Sequence, residues 1–544
     1  MVETAPFGSW KSPITSELIA SGVIGLGQIV LDGEDVYWVE QRPQEAGRNV
    51  VVKLNADGAV RDVIPTPFNV RTRVHEYGGG AYTVADNIIY CCNFTDQRVY
   101  RQVQGSAPEP ITVAREVRFA DLIFDRRRNQ LVCVREDHTG ASVINSLVAI
   151  DPADGSERVL TEGSDFYSSP RLSPDGRQLA WLSWNHPNMP WDGCELNLAR
   201  VDSTGLLSER TIVAGGKSES IFQPEWSPNS VLYFVSDRTG WWNLFRWQDE
   251  TVEPLCPMQA EFGGAQWVFG LSTYAFESER RMVVSYSRDG TAHLGVLDTS
   301  SLKLEPITTP YTDITFVRAK DNTGVFVGAS AKKIPAVVQI GFDEGAVKVL
   351  KRSSEATLDF ESTPRAIEFP TENENTAYGF FYPPVNPNYR GPQGELSPLI
   401  VISHGGPTAC TTDALNLRIQ YWTSRGFAVL DVNYGGSTGY GREYRQRLNG
   451  EWGVVDVDDC VNGALYLVSA GEVDANKLII RGASAGGYTT LCALTFRGVF
   501  KAGASYYGVS DLEALDQDTH KFESHYNATL IGPYPEQRDV YIAR

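Results

Sequence analysis

From about residue 20 to 355, short runs of alternating apolar and polar residues are separated by turns rich in Gly, Pro, Asn and Asp, the pattern of half-buried strands. SSPRLSPDGRQLAWLSW (168–184) and FQPEWSPNSVLYFVSD (222–237) superimpose at an offset of 54 residues, pairing Pro170 with Pro224, Leu172 with Trp226, and Ser173-Pro174 with Ser227-Pro228. Each runs on into a second strand, CELNLARVD (194–202) and WWNLFRWQD (241–249). NIIYCCN (87–93), NQLVCVRED (129–137), RMVVSYSRDG (281–290) and GVFVGAS (324–330) carry the same beat. A strand–turn–strand unit that recurs every ~40–55 residues buries its faces only against its neighbours. The pattern predicts a β-propeller of about seven blades over residues 20–355. Two stacked β-sandwiches are the alternative.

From about residue 360 the pattern changes. PRAIEFP (364–370) and AYGFFYPP (377–384) read as a hairpin, and PLIVIS (398–403), FAVLDVNY (427–434), KLII (477–480) and AGASYYG (502–508) as buried strands. Between them, DALNLRIQYWTSRG (413–426) places Leu415, Ile419 and Trp422 at helical spacing. DDCVNGALYLVSAG (458–471) does the same with Val461, Leu465 and Val468, and Gly426 and Gly471 suit the C-terminal stops. Apolar strands alternating with amphipathic helices predict a doubly wound, mostly parallel α/β sheet over 360–544. Residues 1–19 are expected to pack on it.

The chemistry concentrates in RGASAGGYTTL (481–491). GxSxG occurs twice, at 482–486 and 435–439, where chance in this composition yields about 0.3 matches. A nucleophile elbow needs a strand, a sharp turn and an immediate helix whose free N–H groups face the developing oxyanion. Ser484 has that setting, with Gly482, Gly486 and Gly487 allowing close backbone passage. Ser437 lies in GGSTGYG, too glycine-rich to open a good helix, and reads as part of a loop lining the site. HGGPT (404–408) follows the third strand, where α/β-hydrolases keep a glycine-rich oxyanion loop. The candidate oxyanion donors are therefore the Gly405-Gly406 turn and Ala485.

A propeller followed by an α/β-hydrolase domain with HGGP, NYGGSTGYG and GASAGGY resembles the prolyl oligopeptidase family of serine peptidases. VHEYGGGAY (74–82) and DTHKFESHY (518–526) are similar to its acylaminoacyl-peptidase and bacterial dipeptidyl-peptidase-like branch. The resemblance implies a cytosolic peptidase for short peptides, with the propeller covering the active site and excluding folded proteins. It also makes Glu76 a candidate for sensing the peptide N-terminus, against the plainer reading of a solvated turn carboxylate. Triad order in this fold is Ser, Asp, His. After Ser484 only AGASYYG reads as a core strand, Asp511 looks like a helix N-cap, and His520 and His525 fall in a polar, helix-like stretch. The triad Asp and His are thus expected to be missing, with the hydrolase domain incomplete at its C-terminus. The competing functions are an esterase or other acyl hydrolase, and a catalytically incomplete binding module built on the propeller.

Composition narrows the partners. The chain is 42% apolar and 21% charged with net charge −19, which argues against nucleic acid or an anionic membrane surface. Its N-terminal stretch has neither a signal peptide nor an apolar run long enough to span a bilayer. Eight cysteines without a CxxC pair are expected to be mostly buried thiols in a reducing, cytoplasmic setting. Seven histidines show no HExxH or paired-ligand spacing, so neither a metal nor another cofactor is expected.

Overall fold

The computed structural model describes residues 2–55, 58–342, 345–356 and 358–544. The alternating runs form seven four-stranded antiparallel sheets, each built from four consecutive strands. The first blade comprises Gly25–Asp32, Asp35–Arg42, Arg48–Leu54 and Val60–Asp62; the seventh comprises Asp313–Lys320, Thr323–Ser330, Lys333–Gly341 and Val347–Arg352. No blade borrows a strand from elsewhere, so side chains close the ring. Val325, Val327 and Val337 of the seventh blade join Ile29, Trp38, Val50 and Val52 of the first in one apolar cluster.

The innermost strands share a device. In five blades the ladder shifts register at a bulge. A non-glycine residue there takes positive φ: Gln28 (+51°), Asp121 (+55°), Ser169 (+53°), Gln223 (+47°) and Phe316 (+56°). The other two blades have glycine at this point, Gly80 (+54°) and Gly270 (+80°). A bulge bends the strand and increases its twist. Here it brings Val30, Tyr82, Ile123, Arg171, Glu225, Ser272 and Arg318, each two residues further on, to the wall of the central channel.

The C-terminal sheet contains β1 (Arg365–Pro370), β2 (Thr376–Tyr382), β3 (Ser397–Ser403), β4 (Ala428–Asn433), β5 (Val473–Ala483) and β6 (Ala502–Tyr506). Their spatial order is β1-β2-β4-β3-β5-β6, parallel from β4 onward. Helices α1 (Leu417–Thr423), α2 (Gly441–Gln446), α3 (Val455–Ser469) and α4 (Ala485–Phe496) connect them. Three expectations need correction. α1 starts only after Asn416, whose side chain caps Arg418 N, leaving 413–416 irregular. α3 begins at Val455 rather than 458. GGSTGYG does lead into a helix, the short α2, because its last glycine is also the first helical residue. Near the N-terminus, Glu3 and Thr4 pair with Tyr389 and Arg390, and Trp10 stacks on Tyr389.

α2 is the bolt between the domains. Arg442 and Arg445 both pair with the fully buried Asp237 of the fifth blade, Arg445 at 2.6 Å. Asp237 also accepts from Ser220 N at 2.8 Å, and the Arg445 guanidinium lies 4.0 Å over the Trp242 ring. Asp237→Ala strands two largely buried guanidinium groups. It should cost about 3–5 kcal/mol, read as a lower midpoint in urea unfolding.

Candidate active site

β5 ends at Ala483 and α4 begins at Ala485, so Ser484 makes the whole turn, at φ +55° and ψ −123°. A β-carbon-bearing residue is strained there and must be held by its surroundings. Its carbonyl accepts Gly487 N at 2.9 Å, and its own N–H donates to Tyr506 O of β6 at 3.1 Å. A side chain at Gly482 would strike Gly486, one at Gly486 would strike the Ser403 and His404 carbonyls, and one at Gly487 would strike Gly508. Gly482 and Gly486 therefore let β3, β5 and α4 converge backbone to backbone, and Gly487 lets the Gly508 turn after β6 press on α4. The Ser484 side chain is exposed, while Ala485 and Gly486 open α4 with N–H groups that have no intrahelical acceptor.

The HGGPT loop packs against this turn: a β-carbon on Gly405 would sit 3.5 Å from Ser484 Cβ. His404 organises the loop. Its Nδ1 lies 2.8 Å from Gly405 O and its Nε2 lies 2.8 Å from Ser437 Oγ. Burial pushes its pKa down to about 4, so the ring is neutral. Two acceptor-compatible contacts then define the tautomer: Nδ1–H donates to Gly405 O, and Nε2 accepts from the Ser437 hydroxyl. Because the N–H and C=O of a planar trans peptide point in opposite directions, holding Gly405 O toward His404 turns Gly406 N–H away from it. The Tyr434 ring stacks on His404 at 4.2 Å, and its hydroxyl donates to His404 O at 3.0 Å. Ser437 is fully buried in this role.

Sequence reasoning missed several supports. Asp456 is wholly buried in α3, accepting from Gly453 N at 2.6 Å and from Thr489 Oγ1 of α4 at 2.6 Å. Asp459 holds Gly435 N at 2.6 Å. Two carboxylates on the core face of an amphipathic helix were the available signal. Trp267 of the propeller donates to Thr408 O at 2.7 Å, and Tyr526 OH meets Thr408 Oγ1. No histidine among the described residues hydrogen-bonds Ser484. His520 Nε2 is 3.6 Å from Glu523, the His525 ring lies 4.4 Å from that of His186 in the propeller, and Asp511 caps Ala514 N. Glu76 is ion-paired with Arg118.

The chain was compared with known proteins. The prolyl oligopeptidase family model matches residues 413–543. A puromycin-hydrolyzing peptidase of Mycobacterium tuberculosis superimposes with TM-score 0.96 at 39% identity, covering 99% of this chain and 86% of that one. This chain belongs to the prolyl oligopeptidase family. Another solved member, a puromycin hydrolase, is 37% identical with TM-score 0.95 and the same coverage. Dipeptidyl aminopeptidase BIII of Pseudoxanthomonas mexicana is 32% identical over 36% of this chain and 30% of its own length. The human acylamino-acid-releasing enzyme is 29% identical over 29% of this chain and 23% of its own. The chain therefore covers less than a third of the length of these two curated relatives.

Two outcomes follow from the geometry. Ser437→Ala leaves the buried Nε2 of His404 without a donor and should cost about 1–3 kcal/mol, measured by urea unfolding. Burial also pushes His75 and His186 down to about 4. Between that value and the ordinary 6.5, the unfolded chain binds protons that folded His75, His186 and His404 do not. The three histidines therefore contribute stability that is present above pH 6.5 and lost as pH falls through this window. Buried Asp192 and Asp456, pushed up to about 6, and Glu261 and Asp431, pushed up to about 7, act in the opposite sense. The change in urea midpoint from pH 7.5 to pH 5 should therefore be shifted upward in His186→Phe relative to the parent chain.

Proposed function

We propose that this family member is a serine-type peptidase hydrolysing short peptides through an acyl-enzyme on Ser484. The observation that carries the reading is Ser484 itself: an exposed hydroxyl on a strained turn, at the opening of α4 and against the HGG loop. In this reading Oγ, giving up its proton to water, attacks the scissile carbonyl and the carbonyl oxygen becomes an oxyanion. Ala485 N–H and the Gly405-Gly406 turn supply its donors, with Gly406 N–H directed by the His404–Gly405 contact. Collapse expels the amine, which takes its proton from water, and a second water hydrolyses the acyl-enzyme to release the acid. The likeness to a puromycin-hydrolyzing peptidase supports the peptidase reading. The propeller limits substrate size. Eight unpaired cysteines, six of them buried, support a reducing, cytoplasmic setting, and no helix among the described residues is long and apolar enough to cross a membrane.

A fluorophosphonate probe, located by mass spectrometry, should modify Ser484 and not Ser437; the reverse would sink the assignment. On a ladder of peptides, rates should fall sharply with length, and efficient digestion of long denatured chains would count against a lid.

The same reading assigns the general base to none of the seven histidines, each of which is engaged elsewhere or directed at the propeller. Turnover of an aminoacyl chromogenic substrate by these 544 residues should then stay near 10³–10⁴-fold over water, roughly what an oxyanion hole and binding supply without a full triad. A far higher rate, lost in His520→Ala or His525→Ala, would place the base at one of those residues.

A further inference from the structure

The propeller channel holds a cavity of about 480 Å³ with two unlike walls. On the side of the first three blades the residues after the bulges are Val30, Tyr82 and Ile123; on the other side Arg171, Glu225 and Arg318 occupy the matching positions. The two arginines differ in their partners. Arg171 is satisfied: its Nε lies 3.0 Å from Glu225 Oε2 and its Nη1 lies 3.5 Å from Asp121 Oδ1. Arg318 forms no ion pair among the described residues. Its Nη1 donates to Ser272 Oγ and, at 2.9 Å, to Val317 O, while Nε and Nη2 have no acceptor among the described residues. A guanidinium in a channel, removed from bulk water and hydrogen-bonded to no carboxylate among the described residues, although Glu225 and Asp121 line the same cavity, is a donor fork open to an oxyanion.

The cavity is lined by propeller residues alone and includes no residue of the elbow or of the HGGPT loop. The strand carrying Arg318 starts at Asp313, where Thr412 of the hydrolase domain donates to Asp313 Oδ2 at 3.2 Å. The five residues that follow, each advancing at most about 3.3 Å and bent by the bulge at Phe316, carry Arg318 along the strand away from that contact.

We propose that the channel binds the C-terminal carboxylate of a short peptide on Arg318, with the peptide's apolar body against Val30, Tyr82 and Ile123. The anion site stands on the channel geometry; the choice of a peptide rests on the peptidase reading above. Binding is therefore measured without turnover, in Ser484→Ala protein, by calorimetry with N-acetyl-Ala-Phe as the free acid and as the C-terminal amide. The acid should bind at least about tenfold tighter than the amide, the value of one charge-assisted pair of hydrogen bonds. Arg318→Gln should remove that preference with the melting temperature little changed. Ile123→Glu, which places a carboxylate across the cavity to pair with Arg318, should abolish acid binding and covers the case in which Arg318→Gln fails to fold. Equal binding of acid and amide, or an acid preference that survives both substitutions, would overturn the proposal. Inorganic phosphate binding at Arg318 more tightly than the peptide acid would overturn the assignment to a peptide end.

Discussion

Everything at the candidate site depends on three backbones approaching without side chains between them. β3, β5 and α4 meet at Gly482 and Gly486, with Gly508 pressed on Gly487, and that convergence frames Ser484 at φ +55°. The strain at this one residue is matched by bonds around it: Gly487 N and Tyr488 N on its carbonyl, and Tyr506 O on its N–H. Ser403 Oγ and Thr490 Oγ1 both reach Gly486 O, tying the first turn of α4 to β3. A turn so supported is pre-organised, which is what stabilising a developing charge requires.

The loops above that turn are fixed by buried polar contacts. His404, neutral because it is buried, spends both ring nitrogens on aligning two glycine-rich loops, HGGPT and GGSTG. The propeller enters through Trp267 on Thr408 and through Asp237 on α2, the helix that follows GGSTG. Both loops beside Ser484 are thus anchored at one end by the hydrolase core and at the other by the propeller. Movement of the two domains would act on the site through these same contacts.

The repeat, the alternation of strands and helices, and the elbow were legible because each is written locally. The SP–turn–strand offset of 54 residues corresponds to the fourth and fifth blades, whose innermost strands are Phe166–Leu172 and Ile221–Trp226. Helix limits were less legible. Leu415 continued a helical spacing, yet Leu415 N donates to Ser330 O of the propeller, and Asn416 caps the helix instead. Ser437 matched the same motif as Ser484, and its sequence could not say that a histidine 33 residues earlier would take its hydroxyl.

The sequence by itself determined the two-domain architecture, the strand order along the chain and the serine set at the immediate junction of a strand and a helix. These follow from periodicity and from glycine spacing, which act over a few residues. Tertiary structure alone decided that Ser437 is a buried partner of His404, that Asp237 receives two arginines from more than 200 residues away, and that Arg171 is paired while Arg318 is not. The physical reason is common to all three. A polar side chain's role is set by which acceptor or donor reaches it once water is excluded, and that neighbour is chosen by the fold.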